Sequence, residues 1–141
     1  MLRAMDEKVE LLHGVPLFTD LDQRSLEAVA VLAREISVPA GHVIILEGER
    51  GESFYVIAEG TIRVERSDAT VRSMTAGGFL GEIALLEHTP RTATATCVTD
   101  CRLLVLEQHE FERLMHSFPH LERRMKAAIV RRRHGLAADK A

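Results

Sequence analysis

The residues best suited to chemistry lie in one window, Gly77-Gly78-Phe79-Leu80-Gly81-Glu82-Ile83-Ala84-Leu85-Leu86-Glu87-His88-Thr89-Pro90-Arg91-Thr92-Ala93. It opens on glycines, allows about one helical turn from Glu82 to Leu86, and enters a strand through Pro-Arg-Thr-Ala. Glycines let a backbone approach a ligand closely, and a helix start offers unpaired N–H donors with a favourable dipole. Arg91 adds a planar charged fork that matches two phosphate oxygens. Glu82, an acceptor-only group at the helix start, can take hydrogen bonds from a hydroxyl-bearing sugar. Together these types suit a small anion site. A glutamate and an arginine nine residues apart are more often a structural ion pair, so the residues alone leave both readings open.

The elements that must hold this window follow from the pattern around it. Asp6 to Leu12 suits a short helix that Val15-Pro16-Leu17-Phe18 breaks. Asp22 is placed to cap a helix with Leu26, Val29, Ala30 and Ala33 on one face. The period then changes to two. Ile36 and Val38 alternate with polar neighbours, Pro39-Ala40-Gly41 turns the chain into Val43-Ile44-Ile45, and Gly48 and Gly51 precede Phe54-Tyr55-Val56-Ile57. Gly60 opens a strand with Ile62 and Val64 on one side, and after the window come Ala93/Ala95/Cys97 and Leu103-Leu104-Val105-Leu106. Short strands with a turn signal every eight to twelve residues predict an antiparallel sandwich or barrel. Helical spacing returns at Phe111, Leu114, Met115 and Phe118. Pro119 stops that helix and can open another, running to about Gly135 with Leu121, Met125, Ala128 and Ile129 in its stripe. The expected fold is mainly β with flanking helices: an eight-stranded antiparallel β-roll or jelly roll, one short helix in the candidate anion segment and two C-terminal helices. One domain is expected over 1–141, with a helical part at 1–33, the roll at 34–107 holding the 77–93 segment, and two helices at 108–136.

Composition narrows the function. At 141 residues, with 46 % apolar and 28 % charged residues, the chain can bury a core without staples. A formal charge of -3 gives no global field for nucleic acid. No apolar run is long enough to cross a bilayer and the start lacks an export pattern, so a cytoplasmic location is expected, including the cytosolic part of a membrane protein. Cys97 and Cys101, read along one extended strand, would share a face roughly 13 Å apart, too far for a disulfide unless the chain bends, and are read as reduced small hydrophobes. His116 and His120 are four apart but straddle Pro119, so no metal is expected, which also argues against a cupin. Ser25, Ser37, Ser53 and Ser67 sit in no nucleophile elbow, so no enzyme is expected.

The segment Phe79-Leu80-Gly81-Glu82-Ile83-Ala84-Leu85 with Pro90-Arg91-Thr92-Ala93 resembles the phosphate-binding cassette of cyclic-nucleotide-binding domains, the modules of nucleotide-gated channels, kinase regulatory subunits and catabolite activator proteins. Pro39-Ala40-Gly41, Glu47-Gly48-Glu49, Phe54-Tyr55-Val56-Ile57 and Gly60 resemble the family's glycine-punctuated roll, and the likeness runs from about Val9 to His134. It implies that Arg91 pairs with the exocyclic oxygens of a cyclic phosphate. Glu82 would bond the ribose 2′-OH, helped by the Gly81 N–H, and the N–H groups of Ala84 and Ala93 would line the phosphate and ribose. Ile83 falls within the matched stretch and is counted with the binding residues. Thr92 resembles the hydroxyl of cGMP-responsive members, though it could equally bond phosphate or simply suit a strand. Ile44, Val56 and Leu80 are expected, from spacing, as apolar walls for the purine.

In that family the last helix closes over the base, which makes Ile129 and Arg132 lid candidates. The basic run Arg123, Arg124, Lys126, Arg131, Arg132, Arg133 is otherwise a solvated face that suits the helix C-terminus. DNA contact is not expected, because the chain ends within eight residues of Arg133, too few for a recognition helix. The expectation is a sensor for cAMP, with cGMP possible, that needs no cofactor. It would relay occupancy through its terminal helices to an attached or partner effector such as an ion channel. A roll without nucleotide, kept as a protein-docking scaffold, is the alternative.

Overall fold

The computed structural model describes residues 4–68 and 71–133. The chain opens with α1 (Ala4–His13), a 3₁₀ turn (Pro16–Phe18) and α2 (Gln23–Leu32). The strands are β1 (Arg34–Val38), β2 (Val43–Ile45), β3 (Ser53–Glu59), β4 (Ile62–Glu65), β5 (Val71–Met74), β6 (Phe79–Leu80), β7 (Thr94–Cys97) and β8 (Cys101–Glu107). Helix α3 (Glu82–Glu87) interrupts them, and α4 (Gln108–Ser117) and α5 (Pro119–Arg133) follow. Two antiparallel four-stranded sheets result, in the orders β1-β8-β3-β6 and β2-β7-β4-β5. This is the expected β-roll with flanking helices. The proposed helix end near Gly135 lies outside the described residues.

Local chemistry accounts for the ends of the helices. Asp22 caps α2 through its carboxylate, which accepts from the Ser25 N–H at 2.9 Å. That hydrogen bond also draws the Asp22 pKa below the usual carboxylate value. At the other end Lys8, from α1, donates to the Ala33 carbonyl at 2.6 Å and the Ala30 carbonyl at 3.4 Å, placing a cation where the helix dipole is negative. The buried face of α2 is Leu26, Val29 and Ala30, as its spacing predicts.

Two cores share the middle strands. Phe54 and Val56 of β3 and Leu104 and Leu106 of β8 face the helices, where they meet Leu12, Phe18, Leu26, Phe111 and Met125. Phe54 stacks obliquely on Phe79 and Phe111, with centroids 5.9 and 5.1 Å away. Ile57, Leu103 and Val105 face the interior of the roll with Ile62, Met74 and Leu80. Both sides of β3 and β8 are therefore covered, and their sequences read as near-continuous apolar runs.

The cysteines do not lie along one extended strand. Cys97 ends β7 in one sheet and Cys101 begins β8 in the other, because the chain bends between them. Both are buried and free. Burial, and after it the hydrogen bond with Cys101, pushes the Cys97 thiol up to about 12. The pair behaves as packed thiols in the roll interior.

Candidate functional site

Strand β6 pairs with β3 through Tyr55–Leu80 and Val56–Phe79, and this pairing delivers the chain to Gly81 at the mouth of the roll. Gly81 takes φ 93° and ψ -1° as the residue before α3. A side chain there would be strained by the backbone angle, and its Cβ would meet the Ser53 carbonyl at 2.6 Å and Arg91 Nη1 at 2.7 Å. Glycine is required on both counts. The sharp turn starts α3 at Glu82, whose side chain faces inward and is 1 % exposed.

Arg91 lies against Gly81 and is 8 % exposed. Glu82 and Arg91 are the buried charged residues among the described residues. The Arg91 backbone is pinned to the β2–β3 turn: its N–H donates to Glu49 O at 2.8 Å, and its carbonyl accepts from Gly48 N at 2.9 Å. Its side chain donates through Nη2 to Ser53 O at 2.8 Å and through Nη1 to Gly81 O at 3.2 Å. Burial draws the Arg91 pKa down from its ordinary value, while Tyr55, Glu82 and Glu107 push it back up. A guanidinium starts so far above neutrality that it stays charged. Burying a charge is costly without compensating partners. Here two backbone carbonyls and the neighbouring carboxylate supply part of that compensation.

The two residues flank one cleft, with about 420 Å³ of empty space continuous with solvent. Leu80, Gly81, Glu82, Ile83, Ala84, Arg91, Thr92 and Ala93 all line it, so the structure brings these sequence-predicted residues together. Val56 is not among them. It is 3 % exposed and packs in the helix-side core, so its expected place as a purine wall is corrected. Alternation in β3 points Val56 away from the roll interior, and an all-apolar run hides which parity faces in. Ile44 is likewise replaced by its neighbour Ile45 as a lining residue. Strand β2 shifts register between Val43 and Ile45, and such an irregularity breaks a simple period-two count.

Sequence reasoning also missed Val64, Ala95 and Arg72, which complete the wall. Val64 pairs in register with both Ala95 and Arg72, so three adjacent strands bring them side by side. The available signal was parity: Arg72 shares a strand face with the buried Met74, while Val71 and Ser73 are exposed. No described residue of α5 lines the cleft. Ile129, a lid candidate, is 3 % exposed and does not line the cleft in this arrangement. The side chain of Arg132, the other lid candidate, lies outside the described residues. Helix α5 packs against α3 and the 3₁₀ turn instead. Arg124 donates to Asp20 Oδ2 and to Pro16 O, both at 3.0 Å, and His120 Nε2 lies 3.3 Å from the same Asp20 oxygen. Among the described residues no group of three or more His, Cys, Asp or Glu side chains could hold a metal ion. No helix among them is long and apolar enough to cross a membrane.

A family model described as the cyclic nucleotide-binding domain matches residues 35–118. The chain is 36 % identical over 126 residues to a cyclic nucleotide-gated potassium channel of Rhizobium etli, covering 89 % of this chain and 35 % of that protein. It is 36 % identical over 99 residues to the cAMP-dependent protein kinase regulatory subunit of Candida albicans, covering 70 % and 22 %. The chain thus spans about a third or less of the length of these relatives. Among solved structures, the regulatory domain of Toxoplasma gondii PKA in co-crystal with cAMP superposes with a TM-score of 0.77 at 26 % identity, over 87 % of this chain and 49 % of that one. The catabolite activator protein of Thermus thermophilus gives 0.76 at 26 % identity, over 85 % and 59 %. The matched span runs from β1 through both sheets and the cleft to the end of α4. The likeness is therefore to a whole binding module and not to a roll alone, and the chain belongs to the cyclic nucleotide-binding domain family.

Proposed function

We propose that the cleft binds cAMP, and cGMP as a second ligand, and that the chain is a regulatory module with no catalysis, cofactor or nucleic-acid contact of its own. The observation that carries this reading is the buried pair Glu82 and Arg91 facing one cleft whose remaining wall is mostly apolar. A buried cation with donors left over suits an anionic ligand of small size. Arg91 would take the exocyclic phosphate oxygens, and Glu82 would accept from the ribose 2′-OH. The N–H groups of Gly81, Ala84 and Ala93 would complete the sugar–phosphate contacts. Ile45, Val64, Leu80 and Ala95 offer the purine an apolar surface, and Arg72 and Thr92 add donors beside it. A guanidinium pairs well with the O6 and N7 acceptors of guanine, which is why cGMP stays within the proposal.

Occupancy would reach an effector through α5. That helix touches α3, whose first residues line the cleft, and it is fastened to the 3₁₀ turn by Arg124 and Asp20. With the helix fastened there, no described residue of α5 helps to enclose a ligand. A ligand that favours a released α5 would shift the population by its differential affinity for the two arrangements. The effector would be a channel or another domain on the cytoplasmic side of a membrane, in keeping with the channel and kinase-subunit relatives.

Calorimetric titration with cAMP and with cGMP tests the proposal directly. Micromolar or tighter binding is expected for at least one of them. Silence from both, on folded protein shown to carry no nucleotide through purification, would turn the roll into a docking scaffold.

A further inference from the structure

The β2–β3 turn contains two glycines, and only one is explained by backbone conformation. Gly48 has φ 88°, a left-handed value that favours glycine. Gly51 has no such angle, so its backbone would accept alanine. What excludes a side chain at Gly51 is Arg91. A Cβ there would lie 2.6 Å from Arg91 Cζ and 2.7 Å from Cδ, and closer still to Nε. The end of the Arg91 side chain occupies the space that the missing side chain leaves.

The same turn grips Arg91 at three further points: the paired backbone hydrogen bonds with Glu49 and Gly48, and the Ser53 carbonyl that accepts from Nη2. Ser53 is itself fixed, because its hydroxyl donates to Glu107 at 3.0 Å and it faces Glu107 in the β3–β8 register. A guanidinium carries five N–H donors. Two of its groups are committed to the Ser53 and Gly81 carbonyls, which sets the plane in which the others point.

We propose that the turn from Gly48 to Ser53 is the positioning element of the phosphate-binding arginine, and that Gly51 acts in it by lacking a side chain. This rests on the reading of Arg91 as the phosphate ligand. The turn holds the fork ready before the nucleotide arrives, so binding need not also order a long, rotamer-rich side chain.

Gly51→Ala tests this against Gly41→Ala. Gly41, with φ 92° and nothing within 4 Å of its Cβ position, offers backbone strain in a turn outside the cleft. Gly51→Ala should weaken cAMP binding by about tenfold or more, because a guanidinium pushed aside loses the alignment a charge-assisted hydrogen bond needs. It should also alter the preference between the Sp and Rp phosphorothioate analogues of cAMP, which differ only in which exocyclic oxygen is replaced. Gly41→Ala should lower the Tm yet leave affinity within about threefold and the analogue preference unchanged, since its strain lies in the fold and not in the site. Wild-type affinity and analogue preference in Gly51→Ala, or equal losses in both variants, would overturn the proposal. The Arg91 Nε–H resonance, followed by NMR without nucleotide, gives a separate readout. It should move in Gly51→Ala and stay in Gly41→Ala, and an unmoved signal in Gly51→Ala overturns the positioning role whether or not any nucleotide binds. Failure of the wild-type chain to bind cAMP or cGMP would instead strike the functional reading.

Discussion

Replacing Arg91 by alanine removes the one cation that, among the described residues, both lines the cleft and is buried with Glu82. The structure permits an estimate of the cost. Two groups of the guanidinium are held by the Ser53 and Gly81 carbonyls, leaving donors enough for two phosphate oxygens. Each charge-assisted hydrogen bond contributes about 1.5–3 kcal/mol. With the side chain only 8 % exposed, water competes poorly for these contacts, so the pair together should contribute about 3–5 kcal/mol. Affinity should therefore fall by roughly two to three and a half orders of magnitude, at about 1.4 kcal/mol per tenfold. The same change removes the donor from the Ser53 and Gly81 carbonyls and a cation whose field reaches Glu82, so stability should drop as well, by about 1–3 kcal/mol. Titration calorimetry with cAMP, paired with a thermal melt of each protein, separates the two effects. Arg91→Lys should fall between, since it keeps the charge and loses the fork. A folded Arg91→Ala protein that binds within tenfold of wild type would refute the placement of the phosphate.

Glu82→Ala should weaken cAMP by about 1.5–3 kcal/mol, the value of a hydrogen bond to a charged group, and wild type should discriminate against 2′-deoxy-cAMP by a similar amount. Additive losses when the two changes are combined would contradict a Glu82–2′-OH contact. Thr92→Ala and Arg72→Ala should each cost cGMP more affinity than cAMP, and parallel losses for both nucleotides would place these side chains away from the base. Asp20→Asn weakens the fastening of α5, so amide exchange in α5 should quicken and cAMP affinity should rise a few-fold. Lower affinity in that variant would mean that the fastened arrangement is the one that binds.

Much of this was legible in the sequence because the signals were local. The Asp22 cap, the Gly81 turn and the order of glycines each depend on a few neighbouring residues, and the structure places them where the spacing does. What was not legible depends on contacts across the fold. Val56 sits in a strand covered on both sides, so alternation carries no signal of which side faces the ligand. The register shift in β2 exchanged Ile44 for Ile45. Parity puts Arg72 on the face of the buried Met74, but that this face meets the cleft depends on β5 lying beside β4. The cysteines are the buried free thiols that the sequence suggests, but their spacing along one strand was not legible, since a bend of three residues carries Cys101 into the other sheet.

The helix-side core is assembled from both ends of the chain. Val9, Leu12, Phe18 and Leu26 pack with Phe111, Leu114, Leu121 and Met125, and Arg124 reaches back 104 residues to Asp20. During synthesis, the apolar faces of α1 and α2 emerge first and wait while the whole roll is made. Closing so long a loop adds little to its entropic cost, which grows only with the logarithm of length. The delay matters more than the free energy: contacts of such wide sequence separation form slowly and leave apolar surface open to misassembly. A nascent chain stopped after β8 would hold a finished roll beside two helices with nothing to cover them.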